Sequence, residues 1–357
     1  MPLPKIDFEP DAEGPLRGIR VLDFSRLVAG NMVSLQLADY GAEVVKVEAC
    51  KRGDTLRDWK EKGLSVHWKV YGRNKKSITL DLKSPQARQV ILDLLPKFDV
   101  LIESFRFGYM ERLGLGPEQL HAVNPKLVMV RVSGFGQTGP YSPRPGFGTL
   151  VEAMSGFASR NGFEDREPVL PPLAMADMIA GLYGAMSTVI AVRDIEQNGG
   201  TGQVIDLSLL ESIFSILGPE AAIHRVNGKM RRRVGSASEQ SSPRNVYKTN
   251  DEGWVAISAS TQSMAERLFR AIGRDDLNRN PEFATNAERI KRRDVVDGIV
   301  GGWIGARSLD ENIRFFEEQG VTAAPVYDIA QFMEDPHVQA RGILVEAPDD
   351  EMGTVPM

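Results

Sequence analysis

Cysteine is nearly absent from this sequence, with Cys50 alone among 357 residues. One cysteine excludes an intramolecular disulfide framework and any zinc or iron–sulfur site that needs several cysteines. Histidine is also scarce, and no two of the four histidines have the spacing of a helix-borne metal site. We therefore expect a protein that holds no metal.

A long apolar run and a strong charge of one sign are also lacking. The sequence has no uncharged apolar stretch of about 18 residues, the length that spans a bilayer, and residues 1–16 are acidic and proline-punctuated rather than signal-like. The 43 basic and 48 acidic side chains give a net charge of −5, which disfavours a general nucleic-acid-binding surface. These features predict a cytoplasmic protein that binds neither membrane nor nucleic acid.

Strand-like and helical segments alternate along the chain. Residues 19–24 (IRVLDF) predict a buried strand, residues 32–40 a helix with an apolar face, and residues 42–47 a second strand. Further strands are predicted at 99–102 and 127–133, with helical segments before each. This alternation predicts an α/β fold with a mostly parallel sheet and helices on both faces.

Segment 228–240 has the composition of a domain boundary. It carries four basic side chains within five residues, followed by glycine and serine, a mixture typical of exposed connections. The sequence therefore predicts a large domain at 1–226 and a smaller domain at 227–330.

A glycine-rich motif at 134–139 (GFGQTG) matches the G-x-G-x-x-G pattern of dinucleotide-binding sites. That site requires a helix to begin at the third glycine, but Pro140, Pro143 and Pro145 follow within six residues. The acidic residue expected about 20 positions further on is also missing, since serine and arginine occupy 159–160. We therefore predict a loop at 134–148 rather than a nicotinamide or flavin site.

Asp177 is a single charged residue in an almost wholly apolar run at the start of a predicted helix. It fits the role of a helix N-terminal aspartate that accepts hydrogen bonds from free backbone N–H groups. The alternative is a partly desolvated carboxylate that acts as a nucleophile or a base, although helix N-terminal aspartates are the more common case. The sequence pattern leaves both roles open.

Other catalytic patterns are weak. No G-x-S-x-G nucleophile motif occurs, and Cys50 has no matched base. The basic groups at 73–76 and 229–233 are typical of solvated surface, or alternatively of a site for the phosphates of a small anionic ligand.

Ten segments in a fixed order carry a resemblance to a known family. Four of them are GIRVLDFSRLVAG (18–30), GRNKKSITLDLK (72–83), SGFGQTGPYS (133–142) and ADMIAGLYGA (176–185). The others lie at 37–48, 113–120, 202–212, 281–289, 323–328 and 335–342. Together they resemble the class III CoA-transferases, the family that includes carnitine CoA-transferase, the bile-acid-inducible enzymes and formyl-CoA transferase.

The resemblance implies a large Rossmann-like CoA-binding domain at 1–226, a small α+β domain at 227–330 and an interlocked homodimer. A return segment, 331–357, would run back toward the large domain. Members of the family continue beyond the equivalent of residues 353–355, so a shortened return is expected here.

The resemblance also implies a reaction. Asp177 falls on the nucleophilic aspartate of the family, which attacks an acyl-CoA thioester and forms an aspartyl anhydride, then an aspartyl-CoA thioester. The expected substrates are an acyl-CoA and a carboxylic acid acceptor, with coenzyme A thioester as substrate and no permanently bound cofactor. Covalent catalysis of this kind divides one difficult exchange into easier steps.

Further site residues follow from the same resemblance. The matched CoA-binding positions are Leu27, Val28, Arg73, Lys75, Lys76, Ser104, Phe105 and Arg112. Ser104 stands where many members have asparagine, which weakens that match. The loop positions expected near the ligand, where N–H groups stabilise an oxyanion, are Gly134, Gly136, Phe147 and Gly148.

Positions 146–148 bear on the choice between activities of this family. The α-methylacyl-CoA racemases have Gly-His-Asp there, and this chain has Gly-Phe-Gly. Racemisation needs a second acid/base partner for the aspartate. Formyl-CoA:oxalate transferases have Tyr-Glu at the last two of these positions, so that activity is disfavoured as well.

Two alternatives to CoA transfer stay open: acid/base racemase or isomerase chemistry on Asp177, and a CoA-thioester-binding protein without activity.

Overall fold

The computed structural model describes residues 3–9 and 11–357. By their internal contacts these residues form two compact units. The large unit consists of Lys5–Ala158, Leu170–Glu220 and Val345–Met357, and the small unit of Ser159–Val169 and Ala221–Leu344 with residues 3–4. These units are defined by contacts within the fold, and the domain ranges expected from the sequence, 1–226 and 227–330, describe parts that fold independently. Those domain ranges therefore stay a prediction.

The large unit is built on a six-stranded sheet in which every pairing is parallel. Its strands are β1 (Arg20–Asp23), β2 (Glu43–Glu48), β3 (Lys75–Thr79), β4 (Val100–Glu103), β5 (Val128–Ser133) and β6 (Val204–Ser208). The spatial order is β3-β2-β1-β4-β5-β6, the order of a doubly wound Rossmann-type sheet. The predicted α/β fold with a mostly parallel sheet is confirmed.

Helices flank this sheet. They are α1 (Ala29–Asp39), α2 (Val66–Tyr71), α3 (Pro85–Leu94), α4 (Tyr109–Arg112), α5 (Pro117–Val123), α6 (Gly148–Met154), α7 (Met175–Asn198) and α8 (Leu209–Ser215). Alternate strand residues pack into two cores, with Val21 and Val128 in one and Leu22 and Met129 in the other. Because both faces are covered, the central strands are almost continuously apolar.

Helix α7 is long and apolar enough to cross a membrane by length and composition. However, 44% of its most apolar 18-residue window is buried inside the protein, where it packs against α1. Core helices of soluble proteins pass the same test of length and composition, so this feature is weak evidence for a membrane span.

In the small unit, a three-stranded antiparallel sheet packs against helices. The strands are β7 (Arg244–Lys248), β8 (Trp254–Ser258) and β9 (Ala323–Pro325). Along residues 220–344 the helices are α9 (Glu220–Asn227), α10 (Gln262–Ala271), α11 (Asp276–Arg279), α12 (Asn286–Lys291), α13 (Arg293–Ile304), α14 (Leu309–Glu318), α15 (Ile329–Glu334) and α16 (Pro336–Ala340). Phe269, Val300 and Phe316 are fully buried in its core.

The C-terminal residues of the large unit form an antiparallel hairpin of β10 (Glu346–Asp349) and β11 (Gly353–Pro356). The ammonium group of Lys69 lies 2.6 Å from Asp349 Oδ2 and 2.8 Å from Glu351 Oε2. Burial alone would lower the pKa of Lys69, but hydrogen bonds to these carboxylates raise it above its usual range. The hairpin is therefore fixed to the α2 region of the same unit.

Candidate active site

The strand order reverses direction between β1 and β4, and open α/β sheets bind ligands beyond the carboxyl ends of the strands at such a point. The β1–α1 loop lies there. Leu27 adopts a left-handed backbone conformation (φ 63°), and its N–H donates to Asp54 Oδ1 at 3.1 Å. This strained conformation is supported by a buried cluster of charged side chains.

The buried cluster consists of Asp23, Lys46, Asp54 and Lys75. Lys46 Nζ lies 3.3 Å from Asp23 Oδ1 and 3.2 Å from Asp54 Oδ2, and none of these three side chains is exposed. Burial would raise the pKa of Asp23, but the ammonium groups of Lys46 and Lys75 lower it below its usual range. Burial also lowers the pKa of Lys75 to about 7, although Asp23 partly offsets this effect. The cluster thus holds the base of the β1–α1 loop.

Asp177 is the third residue of α7 and is half-buried. Burial raises the pKa of Asp177 to about 6, and the negative charge of Glu152 raises it further, while backbone groups of Asp177 and Ala29 lower it. At pH 7 the carboxylate is therefore mostly ionised, yet more basic than an ordinary aspartate. More basic oxygen is also more nucleophilic, which suits attack on a thioester.

Helix α6 supports this carboxylate from the side. The backbone at Gly148 lies so close to Asp177 that an added Cβ would overlap Asp177 Oδ2. One turn later, Glu152 is buried and its Oε1 accepts a hydrogen bond of 3.0 Å from Ala176 N–H. The N-cap residue of α7, Ala174, has no side chain able to do this. Glu152 therefore caps the helix that carries Asp177.

The predicted loop at 134–148 closes on itself. A Cβ on Gly134 would lie 2.6 Å from Gly146 Cα, so the two ends of the loop pass backbone against backbone as only glycine permits. Gly136 has a positive φ of 86°, and its N–H donates to Ser133 Oγ at 2.9 Å. The loop is therefore ordered by its own close contacts.

A first cavity of about 210 Å³ lies at this end of the sheet. Residues beyond β1, β4 and β5 line it, together with Asp177 and the 134–148 loop. Three arginines, Arg26, Arg106 and Arg144, lie on its wall. The guanidinium of Arg144 stacks over the ring of Tyr141 at 3.7 Å from the centroid. The cavity thus combines one carboxylate with three cations.

A second cavity of about 520 Å³ adjoins the first and shares Arg26 and Phe105 with it. The guanidinium of Arg26 lies 5.5 Å from the centroid of the Phe105 ring. Lys51 and Lys83 lie on the wall of the second cavity. The two cavities are therefore adjacent, and basic side chains lie on the walls of both.

The structure brings only part of the expected CoA-binding set to these cavities. Leu27, Ser104 and Phe105 line the first cavity, and Ser104 Oγ accepts from Arg26 N–H at 2.9 Å. Gly134 and Phe147 line it as well. The expected roles of these residues in binding stay predictions.

The remaining expected residues lie elsewhere. Val28 is buried at the N-cap of α1. Arg73 Nη2 pairs with Asp39 Oδ2 at 2.5 Å, and Lys76 Nζ pairs with Glu43 Oε1 at 2.7 Å. Arg112 lies 5.7 Å from the ring centroid of Tyr109. None of these side chains is among the described residues that line the two cavities.

Lys75 is also set apart from the cavities. Its side chain is 1% exposed, and its ammonium group donates to the backbone oxygen of Asn31 at 2.8 Å and to the side-chain oxygen of Asn31 at 3.1 Å. The side chain therefore supports the first turn of α1 from beneath.

Sequence reasoning missed several groups around the cavities. They are Arg26, Arg106, Arg144, Glu152, Lys51 and Lys83. Glu152 could have been found, because a lone glutamate in the apolar run 149–154 stands four residues after Gly148, on the same helix face. Arg106 and Arg144 carry no such signal, since only the folding of their loops brings them together.

Comparisons with known proteins establish the family of the chain. The family model for CoA-transferase family III matches residues 16–357. The succinyl-CoA–D-citramalate CoA-transferase of Chloroflexus aurantiacus is 36% identical over 96% of this chain and 86% of its own length. The alpha subunit of the succinyl-CoA–L-malate CoA-transferase of the same organism is 39% identical, over 92% of this chain and 78% of its own length.

A solved structure gives the same result. The crystal structure of a CAIB/BAIF family protein from Brucella suis superimposes with a TM-score of 0.83 at 28% identity, covering 96% of this chain and 95% of that chain. Both the family model and the relatives span nearly the whole sequence. The chain belongs to CoA-transferase family III.

Proposed function

We propose that this CoA-transferase moves CoA between dicarboxylic acids through covalent intermediates on Asp177. Transfer of CoA between carboxylic acids is the activity of the family to which the chain belongs. The observation that supports Asp177 is its place: of the described residues that line the first cavity, it is the one acidic side chain, and none is cysteine, histidine or lysine.

The reaction would begin with attack of an Asp177 carboxylate oxygen on the carbonyl carbon of the acyl-CoA thioester. A C–O bond forms, the C–S bond breaks, and the negative charge leaves with the CoA thiolate, giving an aspartyl anhydride. The thiolate then attacks the aspartyl carbonyl of the anhydride and releases the donor acid as a carboxylate. The acceptor carboxylate then attacks the aspartyl-CoA thioester and releases the CoA thiolate, giving a second anhydride. The thiolate attacks the acceptor carbonyl of that anhydride, which gives the new acyl-CoA and restores the Asp177 carboxylate. No water takes part, so the thioester energy is conserved if water is excluded.

The three arginines of the cavity support a dicarboxylic substrate. Within residues 3–9 and 11–357, none of Arg26, Arg106 and Arg144 has a carboxylate partner. A planar guanidinium binds carboxylate through two parallel hydrogen bonds. The relatives are named for succinyl-CoA, citramalate and malate, each of which keeps a second carboxylate while the first one reacts. We assign that second carboxylate to this group of arginines.

Two further expectations stay proposals. We propose a homodimer, since the family resemblance implies one and α7 carries exposed apolar side chains. We also propose a cytoplasmic location, from the composition of the sequence and its one cysteine.

The experiment that tests the nucleophile is chemical trapping. The protein is incubated with succinyl-CoA and hydroxylamine, and mass spectrometry locates the modification. We expect an aspartyl hydroxamate on the peptide that contains Asp177, because hydroxylamine intercepts an activated aspartyl carbonyl.

Asp177→Asn should abolish both the modification and CoA transfer, by at least about a thousandfold in kcat. Glu196→Gln, on the exposed surface of the same helix, is the matched control and should behave as the wild type. Full transfer activity in the Asp177→Asn protein would show that Asp177 is not the nucleophile. Exchange of deuterium into the α-carbon without an acid acceptor would instead indicate racemase or isomerase chemistry.

A further inference from the structure

Glu152 is a buried carboxylate that the reaction above does not use. Its side chain lies on α6 and the residue is only 2% exposed. A charge buried to this extent is costly unless hydrogen bonds compensate it. Here the compensation comes from the N-terminus of α7, because Glu152 Oε1 accepts from Ala176 N–H at 3.0 Å and the helix end carries partial positive charge. Glu152 is thus fixed against the turn that holds Asp177.

Glu152 and Asp177 face one another across Gly148. A Cβ added to Gly148 would lie 3.7 Å from Glu152 Oε1 and would overlap Asp177 Oδ2. The two carboxylates are therefore close enough for direct repulsion, which acts between like charges within about 6 Å. The negative charge of Glu152 accordingly contributes to the raised pKa of Asp177, after burial.

Other groups near Asp177 act differently. Tyr71, on α2, has its own pKa raised by burial and by the charge of Asp177, and it is neutral at neutral pH. Arg26, Arg106 and Arg144 lie on the cavity wall and carry positive charge. Of the described charged groups around Asp177, Glu152 is therefore the one that opposes the Asp177 charge.

We propose that Glu152 is a positioning residue for CoA transfer: its hydrogen bond to Ala176 holds the turn that carries Asp177, and its charge raises the free energy of the ionised Asp177 carboxylate. The proposal rests on the nucleophilic role of Asp177. When the anhydride forms, a C–O bond replaces the C–S bond and the negative charge leaves Asp177 with the CoA thiolate. The repulsion between the two carboxylates is then relieved, so it favours the covalent step.

The test is Glu152→Gln, which keeps an oxygen acceptor for Ala176 N–H and removes the charge. The rate of adduct formation on Asp177 is measured in single turnovers with succinyl-CoA as a function of pH. We expect the acidic limb of the wild-type profile near pH 6, shifted down by about half a pH unit or more in the variant. The plateau rate should fall about 3–10-fold. Glu118→Gln, an equal change in charge at an exposed position of α5, should match the wild type.

A correctly folded Glu152→Gln protein with an unchanged limb and plateau would overturn the proposal, because a merely structural role moves neither. If that variant does not fold, Glu152→Asp, which keeps the charge, takes its place. Glu152→Asp withdraws the charge by one methylene while Asp177 stays buried, so a limb shifted below that of the wild type would support the proposal, and an unchanged limb and plateau would overturn it. Absence of any wild-type adduct on Asp177 would instead refute the proposed function, and this proposal with it.

Discussion

The surroundings of Asp177 destabilise its ionised form. Burial and the neighbouring Glu152 raise its pKa from 3.8 to about 6. An acid with a raised pKa binds its proton more tightly in the folded chain than in the unfolded chain. Stability is therefore lost as the pH rises from near 3.8 to about 6, and the loss is complete above pH 6. The proposed nucleophile thus lowers the stability of the fold at neutral pH.

Replacing Asp177 with asparagine should therefore stabilise the protein at neutral pH. We expect the free energy of unfolding to rise by about 1–2 kcal/mol at pH 7.5, after allowance for partial exposure, because the opposed charge is gone. At pH 4.5 the gain should be smaller, since wild-type Asp177 is then largely protonated. Urea unfolding at the two pH values measures both quantities. A variant that is no more stable than the wild type at pH 7.5 would contradict the expectation, and Glu196→Gln controls for the change in net charge.

The 134–148 loop is the element that completes the first cavity. Its glycine contacts hold the loop closed, and this closure brings Arg144 to the cavity wall. Stacking on Tyr141 limits the rotamers of a long side chain, so less conformational entropy is lost when it binds a carboxylate. Of the three arginines, Arg144 is therefore the one best prepared to bind the second carboxylate.

Arg144→Gln should weaken the binding of dicarboxylic acceptors. We expect KM for malate or glutarate to rise about 10–100-fold, the effect of losing a charge-assisted hydrogen bond. KM for a monocarboxylic acceptor of equal length should change much less. Initial rates with both acceptors at fixed succinyl-CoA give the comparison. Arg166→Gln removes another exposed arginine that stacks on an aromatic ring and should leave both values unchanged. An equal rise for both acceptors would show that Arg144 does not recognise the second carboxylate.

The sequence predicted the central elements well and the edge of the sheet poorly. The strands β1, β4 and β5 are buried on both faces, so their apolar runs are distinct. Strand β3 is mostly exposed at the sheet edge, and its KKSIT sequence lacks any apolar pattern, so the sequence does not predict it. Helix α1 begins at Ala29 rather than at residue 32. Gly30 lies inside the helix, where its lack of a side chain permits close packing against Ser25, and it does not interrupt the helix.

The candidate site was predictable only where a motif carries it. Asp177 stands out as a charge in an apolar run, and it lies on the first cavity. The buried position of Lys75 could not be foreseen, because a basic run on an edge strand has the same sequence whether its side chains point inward or outward. Partners that come from separate loops, such as Arg26 and Arg144, depend on tertiary structure alone.

At the scale of the whole molecule, α7 connects the candidate active site with the surface. Its first turn carries Asp177, and further along Leu182, Met186 and Ile190 are 52%, 52% and 60% exposed. Residues at this spacing share one face of a helix, so they form an apolar stripe that we call the α7 stripe. Contiguous exposed apolar surface of this kind marks protein–protein contacts. The stripe therefore supports the proposed homodimer.

A charge placed in the α7 stripe should break that dimer. We expect the wild type to sediment as a dimer and Ile190→Glu to shift toward monomer by at least tenfold in dissociation constant, because a carboxylate buried in an apolar interface costs about 2 kcal/mol or more. Sedimentation velocity over a concentration series measures the shift. Val226→Glu makes the same charge change at a residue 84% exposed on α9 and should leave the dimer intact. A wild type that is monomeric at every concentration would count against the homodimer, whereas an unaltered Ile190→Glu dimer would place the interface elsewhere.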